Sequence, residues 1–290
     1  MDKDTNNSSI QPSYDFNKFN IGIVEIKQET EKLENKFENA NEKKGLFIVK
    51  PASSWIKQAK TRPTPRMLFS EFWYEGELCI LFADTNLGKS ILAIQIGNSI
   101  SRKEQIRGFK LETAKQPVLY FDFELSDKQF ETRYSRNYEQ HYLFDDNFIR
   151  VEIDSDAVIP ETQTFEDFLN QSMERSITDT GAKILIIDNI TYLKNETEKA
   201  KDALPLMKHL KKLKNKYGLS ILALAHTPKR DLSKPITKND LQGSKMLINF
   251  CDSSFAIGES SSDKSARYLK QIKARNTEII FDSENVCICH

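Results

Sequence analysis

Residues Glu77 to Gly97, ELCILFADTNLGKSILAIQIG, constrain this chain more than any other stretch. Leu78 to Ala83 read as a short buried strand, and the apolar spacing that begins at Lys89 reads as a helix, so the residues between must turn tightly. That turn, Ala83 to Ser90, matches G-x-x-x-x-G-K-[ST] at every fixed position except the first, where Ala83 replaces glycine. Such a turn wraps backbone N–H groups around a phosphate, and the helix behind it aims its positive N-terminus at the same anion. Gly88 permits the close approach, Lys89 neutralises β- and γ-phosphate charge, and Ser90 offers a hydroxyl to Mg2+. The expected nucleotide contacts are therefore Ala83, Asp84, Thr85, Asn86, Leu87, Gly88, Lys89, Ser90 and Ile91. A chance turn with a solvated lysine would lack this strand before it and this helix after it. The Cβ of Ala83 is the expected point of restriction in the loop.

From Gly76 onward, short apolar runs alternate with longer helical patterns, which is the sequence form of a parallel sheet covered by helices. The spacing predicts strands at Glu77–Ala83, Pro117–Phe123, Phe148–Ile153, Lys183–Asp188 and Ser220–His226. Helices are expected at Lys89–Ser101, Asp127–Tyr142, Thr164–Arg175 and Lys199–Tyr217. Later strands at Ser253–Ile257, Arg267–Ala274 and Glu278–Phe281 would close a mostly parallel sheet with an antiparallel tail. The expected fold class is an α/β, P-loop NTPase core, and in such sheets ligands sit at the carboxyl ends of the strands.

Polar residues interrupt the apolar runs at those ends. AKILIIDNI finishes on Asp188, the form of a second acidic strand that holds the metal of Mg-ATP. VLYFDFELS carries Asp122 and Glu124 two positions apart and so on one face. Glu124, at the strand end, is positioned to polarise a water against the γ-phosphate, while Asp122 reads as an ordinary hydrogen-bonded residue and the second choice of base. LSILALAHTPKR ends with His226, either a γ-phosphate sensor or a cap on the next loop.

The 42 Lys and Arg balance 42 Asp and Glu, so no field of the whole protein draws it to nucleic acid or anionic lipid. Any such binding needs a local patch. From Pro228 to Lys245 five basic residues, Lys229, Arg230, Lys234, Lys238 and Lys245, stand against Asp231 and Asp240, and Gln242 falls at the turn. This is a candidate DNA loop or a solvated surface loop. The lysines from Lys208 to Lys216 read as a solvated helix face around Leu206, Leu210 and Leu213. No apolar run is long enough to cross a bilayer and the start has no export signal, so a cytoplasmic protein without a membrane partner is expected. Four cysteines give no disulfide framework; Cys287, Cys289 and His290 read as a frayed last strand rather than a metal site. Residues 1–50 form a polar arm, in which Gly22 to Lys44 reads as an amphipathic helix that packs on its own domain or on a neighbour. The remaining 51–290 form the core domain.

With these residues laid out, the chain resembles the RecA-like hexameric ATPases, and most closely the RepA-type plasmid helicases and related ATPases of bacterial mobile elements, over Leu68 to Phe281. The resemblance implies Glu124 as catalytic base, and it implies that Lys273 and Arg275, in YLKQIKARNTE, reach the γ-phosphate of an adjacent subunit. NDLQGSKMLINFCDSSFAI looks like the stretch of DnaB-type helicases that carries a DNA-facing loop and then a strand, with Gln242, Gly243 and Ser244 at its turn. Two departures stand out: Ala83, and a chain that stops soon after Phe281 where such domains continue for further strands. The expected protein is a Mg-ATP hydrolase working as a homo-hexamer or other ring on single-stranded DNA, a helicase or translocase for a mobile element. Its partners would be a primase or other replication or mobilisation proteins. The competing reading is an ATP-switched assembly protein that does not translocate DNA. A small-molecule kinase, the third, would need Lys273 and Arg275 to act as a lid in cis.

Overall fold

The computed structural model describes residues 47–190, 203–228, 230–231, 234–241, 244–260 and 263–289. The predicted arm helix at Gly22–Lys44 lies outside them, as do Lys229, Gln242, Gly243 and His290. The chain divides into two compact units, Met1–Thr64 and Pro65–His290, within the proline-containing run Thr61–Pro65. In the first, Pro51 precedes helix α1 (Ala52–Lys60), and Lys50 stands over the Trp55 ring at 5.5 Å. No described helix is long and apolar enough to cross a membrane.

The second unit is built on an eight-stranded sheet. In chain order its elements are β1 (Met67–Phe69), β2 (Trp73–Tyr74), β3 (Leu78–Ala83), α2 (Lys89–Arg102), β4 (Val118–Asp122), α3 (Asp127–Arg133), β5 (Ser135–Arg136) and β6 (Gln140–His141). There follow β7 (Phe148–Val151), α4 (Phe165–Thr180), β8 (Ile184–Asp188), α5 (Ala203–Tyr217), β9 (Ser220–His226), α6 (Ser244–Phe250), β10 (Ser253–Glu259), β11 (Arg267–Lys273) and β12 (Cys287–Cys289). The sheet runs β12-β11-β10-β3-β9-β8-β4-β7. All pairs from β10 to β7 are parallel, and β11 and β12 pair antiparallel at the far end. The order places β9 and β8 between β3 and β4, so four strand ends that are distant in sequence become neighbours.

Strands buried on both faces explain the continuous apolar runs. On one face Cys79, Leu81, Tyr120, Ile186 and Leu224 pack with α2 and the β1–β2 hairpin; on the other Ile80, Phe82, Leu119, Leu185 and Ala223 pack with α4 and α5. Gly97 lets α2 approach this sheet, because a Cβ there would lie 2.6 Å from the Phe148 ring and 2.9 Å from Ile186 Cδ1. Close packing leaves no room to absorb such a group.

Three expectations need correction. The helix predicted over Asp127–Tyr142 stops at Arg133, because Asn137 and Tyr138 adopt positive φ and turn the chain into the small β5–β6 hairpin. Glu278–Phe281 is not a strand. The Gln271 side-chain oxygen accepts from the N–H groups of Ile280 and Phe281, and Phe281 stacks on Phe72 at 4.9 Å. The last strand is instead Cys287–Cys289, paired with β11. Finally, helix α4 begins one residue after Thr164, which caps it, and continues to Thr180.

Candidate active site

Ala83 is the last residue of β3, fully buried and paired across to His226 of β9. It keeps extended backbone, so this loop does not use the conformational freedom of a glycine at its first position. The left-handed positions are Asn86 (φ 63°) and Gly88 (φ 90°). Asparagine tolerates that region better than most side chains, and Gly88 opens the way into α2.

Lys89 is 7% exposed and folds back on the loop, where its Nζ donates to the carbonyls of Ala83 (3.1 Å) and Asp84 (3.2 Å). The same Nζ lies 3.3 Å from His226 Nδ1. With Nδ1 accepting from Lys89, the ring proton belongs on Nε2, which stands 3.5 Å from Glu124 Oε1. Burial holds Lys89 below the usual lysine range, opposed by Asp188, Glu124 and Asp84. Glu124 is held down at about 2, first by the hydrogen bond from His226 and then, against burial, by Asn189. Asn189 Nδ2 donates to the same Oε1 at 2.7 Å.

Asp122 and Asp188 face each other across β4 and β8 in the sheet register, yet they do different things. Asp122, 2% exposed, accepts from the N–H groups of Glu124 (3.1 Å) and Leu125 (3.0 Å) and from Arg150 Nε (3.0 Å). It is a structural carboxylate that shapes the turn carrying Glu124. Asp188, 3% exposed, accepts from Tyr120 Oη at 2.5 Å and from the Ser90 hydroxyl. Burial raises Asp188 above the usual aspartate range, and those two hydrogen bonds pull the other way. A buried carboxylate beside a hydroxyl on a phosphate loop, with no lysine or arginine paired to it among the described residues, is an oxygen donor set that fits Mg2+.

A cavity of about 260 Å3 joins these groups; its walls include Thr85, Gly88, Ser90, Glu124, Asp188 and His226. Arg133, at the end of α3, also lines it and was not anticipated. Neither was the contact of Asn189 with Glu124. Nothing in local periodicity marks either residue: Arg133 ends α3 and Asn189 follows β8, and what each of them meets is set by the order of the strands.

The remaining expected residues lie elsewhere. Arg230, expected on DNA, is instead bound to the loop: its Nε donates to Asp84 Oδ2 at 2.8 Å, and Thr227 Oγ1 donates to the other oxygen. Its side chain is only 8% exposed, held between the phosphate loop and the start of the basic loop. Lys234 and Lys238 are exposed, and Lys234 stands 3.6 Å from Asp231; the side chain of Lys245 lies outside the described residues. Lys273 and Arg275 sit at the sheet edge opposite the phosphate loop. Lys273 pairs with Ser254 at the level of Ile80, about three residues or roughly 10 Å back from Ala83. Its Nζ donates to the carbonyls of Ile248 (2.5 Å) and Cys251 (2.7 Å) at the end of α6, where it caps the helix within this chain. Arg275 is half-exposed and pairs with Asp252 at 3.2 Å.

A profile of the AAA domain matches residues 48–231. Among solved structures, the fold resembles a KaiC-like protein from the hyperthermophilic archaeon Pyrococcus horikoshii OT3. The TM-score is 0.52 at 13% identity, over 79% of this chain and 100% of that one. No curated protein matches the sequence. Because the matched profile spans more than half of the 290 residues and contains the phosphate loop and both acidic strand ends, the chain belongs to the AAA domain family of P-loop ATPases.

Proposed function

We propose that the protein hydrolyses Mg-ATP and couples hydrolysis to single-stranded DNA as a ring-forming helicase or translocase of a mobile element. The observation that carries the coupling is the attachment of Asp84, inside the phosphate loop, to Thr227 and Arg230 at the root of the basic loop. A change in Asp84 when phosphate arrives is passed to that loop through two direct side-chain contacts. Ser90 and Asp188 would hold the metal, which would supply charge neutralisation for the phosphates. Lys89 would exchange the loop carbonyls for phosphate oxygens. With a pKa near 2, Glu124 stays ionised and serves to orient the attacking water as an acceptor, its proton passing on only as the bond to phosphorus forms. Arg275, at the edge away from its own loop, would act on a neighbour's ATP, which supports a ring rather than a monomer.

The test is ATP turnover with and without single-stranded DNA, in the wild type and in Arg230→Gln. Stimulation by DNA that is lost in Arg230→Gln, with basal turnover kept, is the expected result. Neutralising Lys234 and Lys238 should flatten the slope of log K against log salt by about 1.4, at ~0.7 per phosphate contact. Turnover indifferent to polynucleotide would reject the DNA reading in favour of an ATP-switched assembly protein.

A further inference from the structure

On the face of the sheet away from α2, a second cavity of about 420 Å3 opens between β4, β7 and α4. Its walls are apolar, formed chiefly by Phe121, Phe123, Val151, Phe168, Leu169 and Met173. The volume lies within the range of pockets that take a ligand or an inserted side chain, roughly 300–1,000 Å3. Apolar surface continues beyond it: Ile159 and Phe165, which also line it, are 39% and 44% exposed, and Val158 is 86% exposed. Contiguous apolar surface of this kind marks a place where something docks.

The charge around it is one-sided. Between Glu152 and Gly181 there are eight carboxylates and one base, Arg175, a net −7 in a chain whose total is zero. Arg175 is itself paired with Asp179. Two bases from outside the segment also reach it: Arg150 is held by Asp122 and Glu152, and Lys216 pairs with Glu174. Asp154, Asp156 and Glu161 have no basic partner among the described residues. A nucleic acid or an anionic lipid surface would be repelled here. We propose that this acid-rimmed cavity docks a basic segment of a partner protein, which inserts a large apolar side chain between α4 and β7 while its lysines or arginines meet the rim. Phe123 connects the site to the chemistry, since it forms one wall, immediately precedes Glu124, and donates its N–H to Asp188 O at 2.8 Å. An occupant that displaces Phe123 shifts the catalytic glutamate.

The docking itself does not depend on the DNA reading and is tested by binding. The probe is a fluorescent 18-residue helix-forming peptide with leucines at helical spacing on one face and lysines elsewhere, measured by anisotropy against the full chain. A second peptide with glutamate in place of lysine is the control. Two variants bracket the site: Asp154→Asn with Asp156→Asn and Glu161→Gln, which discharges the rim, and Ser172→Phe, which fills the cavity from the exposed side of α4. None of these positions is in the nucleotide site, so basal turnover and a thermal melt report that the fold is intact. We expect saturable binding of the lysine peptide only, weakened at least tenfold by each variant. Absence of binding, or binding lost with the rim charges but kept in Ser172→Phe, overturns the proposal, the latter because it reports general attraction to an acidic surface. Self-association of the wild type that Ser172→Phe abolishes would identify a second copy as the occupant and equally reject a foreign partner.

Discussion

Asn189 Nδ2 donates to Glu124 Oε1 at 2.7 Å, so the residue after one acidic strand orients the carboxylate after the other. Glu124→Gln should keep nucleotide affinity and lose turnover by ~10²-fold or more, because an amide oxygen accepts weakly and cannot take a proton. Asn189→Ala should lower turnover less, about tenfold, with nucleotide affinity unchanged. Near-normal turnover in Glu124→Gln would remove Glu124 from the reaction. Asp122 would not replace it readily, being bonded to two backbone N–H groups and Arg150.

The low pKa of Glu124 has His226 as its first cause. In the folded protein the carboxylate therefore stays charged down to about pH 2, and the stability it contributes is present above its ordinary 4.5 and lost as pH falls from there through the folded value. His226→Ala should raise the Glu124 pKa toward 4.5. Carbon-detected NMR titration of the carboxyl resonance measures it, and an unmoved titration would show that His226 does not charge-stabilise Glu124.

Asp188 presents the opposite sign. Its pKa is raised by burial, so holding it ionised at neutral pH costs stability, and that cost is relieved as pH falls through the raised value. Asp188→Asn should therefore lose Mg2+-dependent turnover while the metal-free protein becomes more stable, by about 1 kcal/mol or roughly 2–4 °C in Tm. A lower Tm without metal would mean that the hydrogen bond from Tyr120 outweighs the desolvation.

Arg275 and Lys89 lie at opposite edges of one sheet, which makes their separation a test of assembly. Arg275→Ala and Lys89→Ala should each be inactive alone. Mixed and co-assembled, they should recover part of the wild-type turnover at interfaces that bring an intact Arg275 to an intact loop. No recovery in mixtures shown by mass to co-assemble would rule out a role in trans.

Much of this protein is determined by its sequence taken locally. The strand at Leu78–Ala83, the loop through Ser90, helix α2 and the strand ending on His226 are legible because apolar period, glycine placement and turn length act over a few neighbouring residues. Asp188 and Glu124 are legible for the same reason, as polar ends of apolar runs. Tertiary structure decided what their partners are. Arg150 of β7 takes Asp122 and leaves Glu124 free to meet Asn189 and His226, which follows only once β4 lies between β7 and β8. Arg230 and Lys273 carry the charge that suits DNA or phosphate, yet one is bound to Asp84 and the other to carbonyls at the end of α6. Side-chain pairing across a sheet depends on strand order, which is set by the packing of the whole core and leaves no mark on the spacing of residues along any one strand.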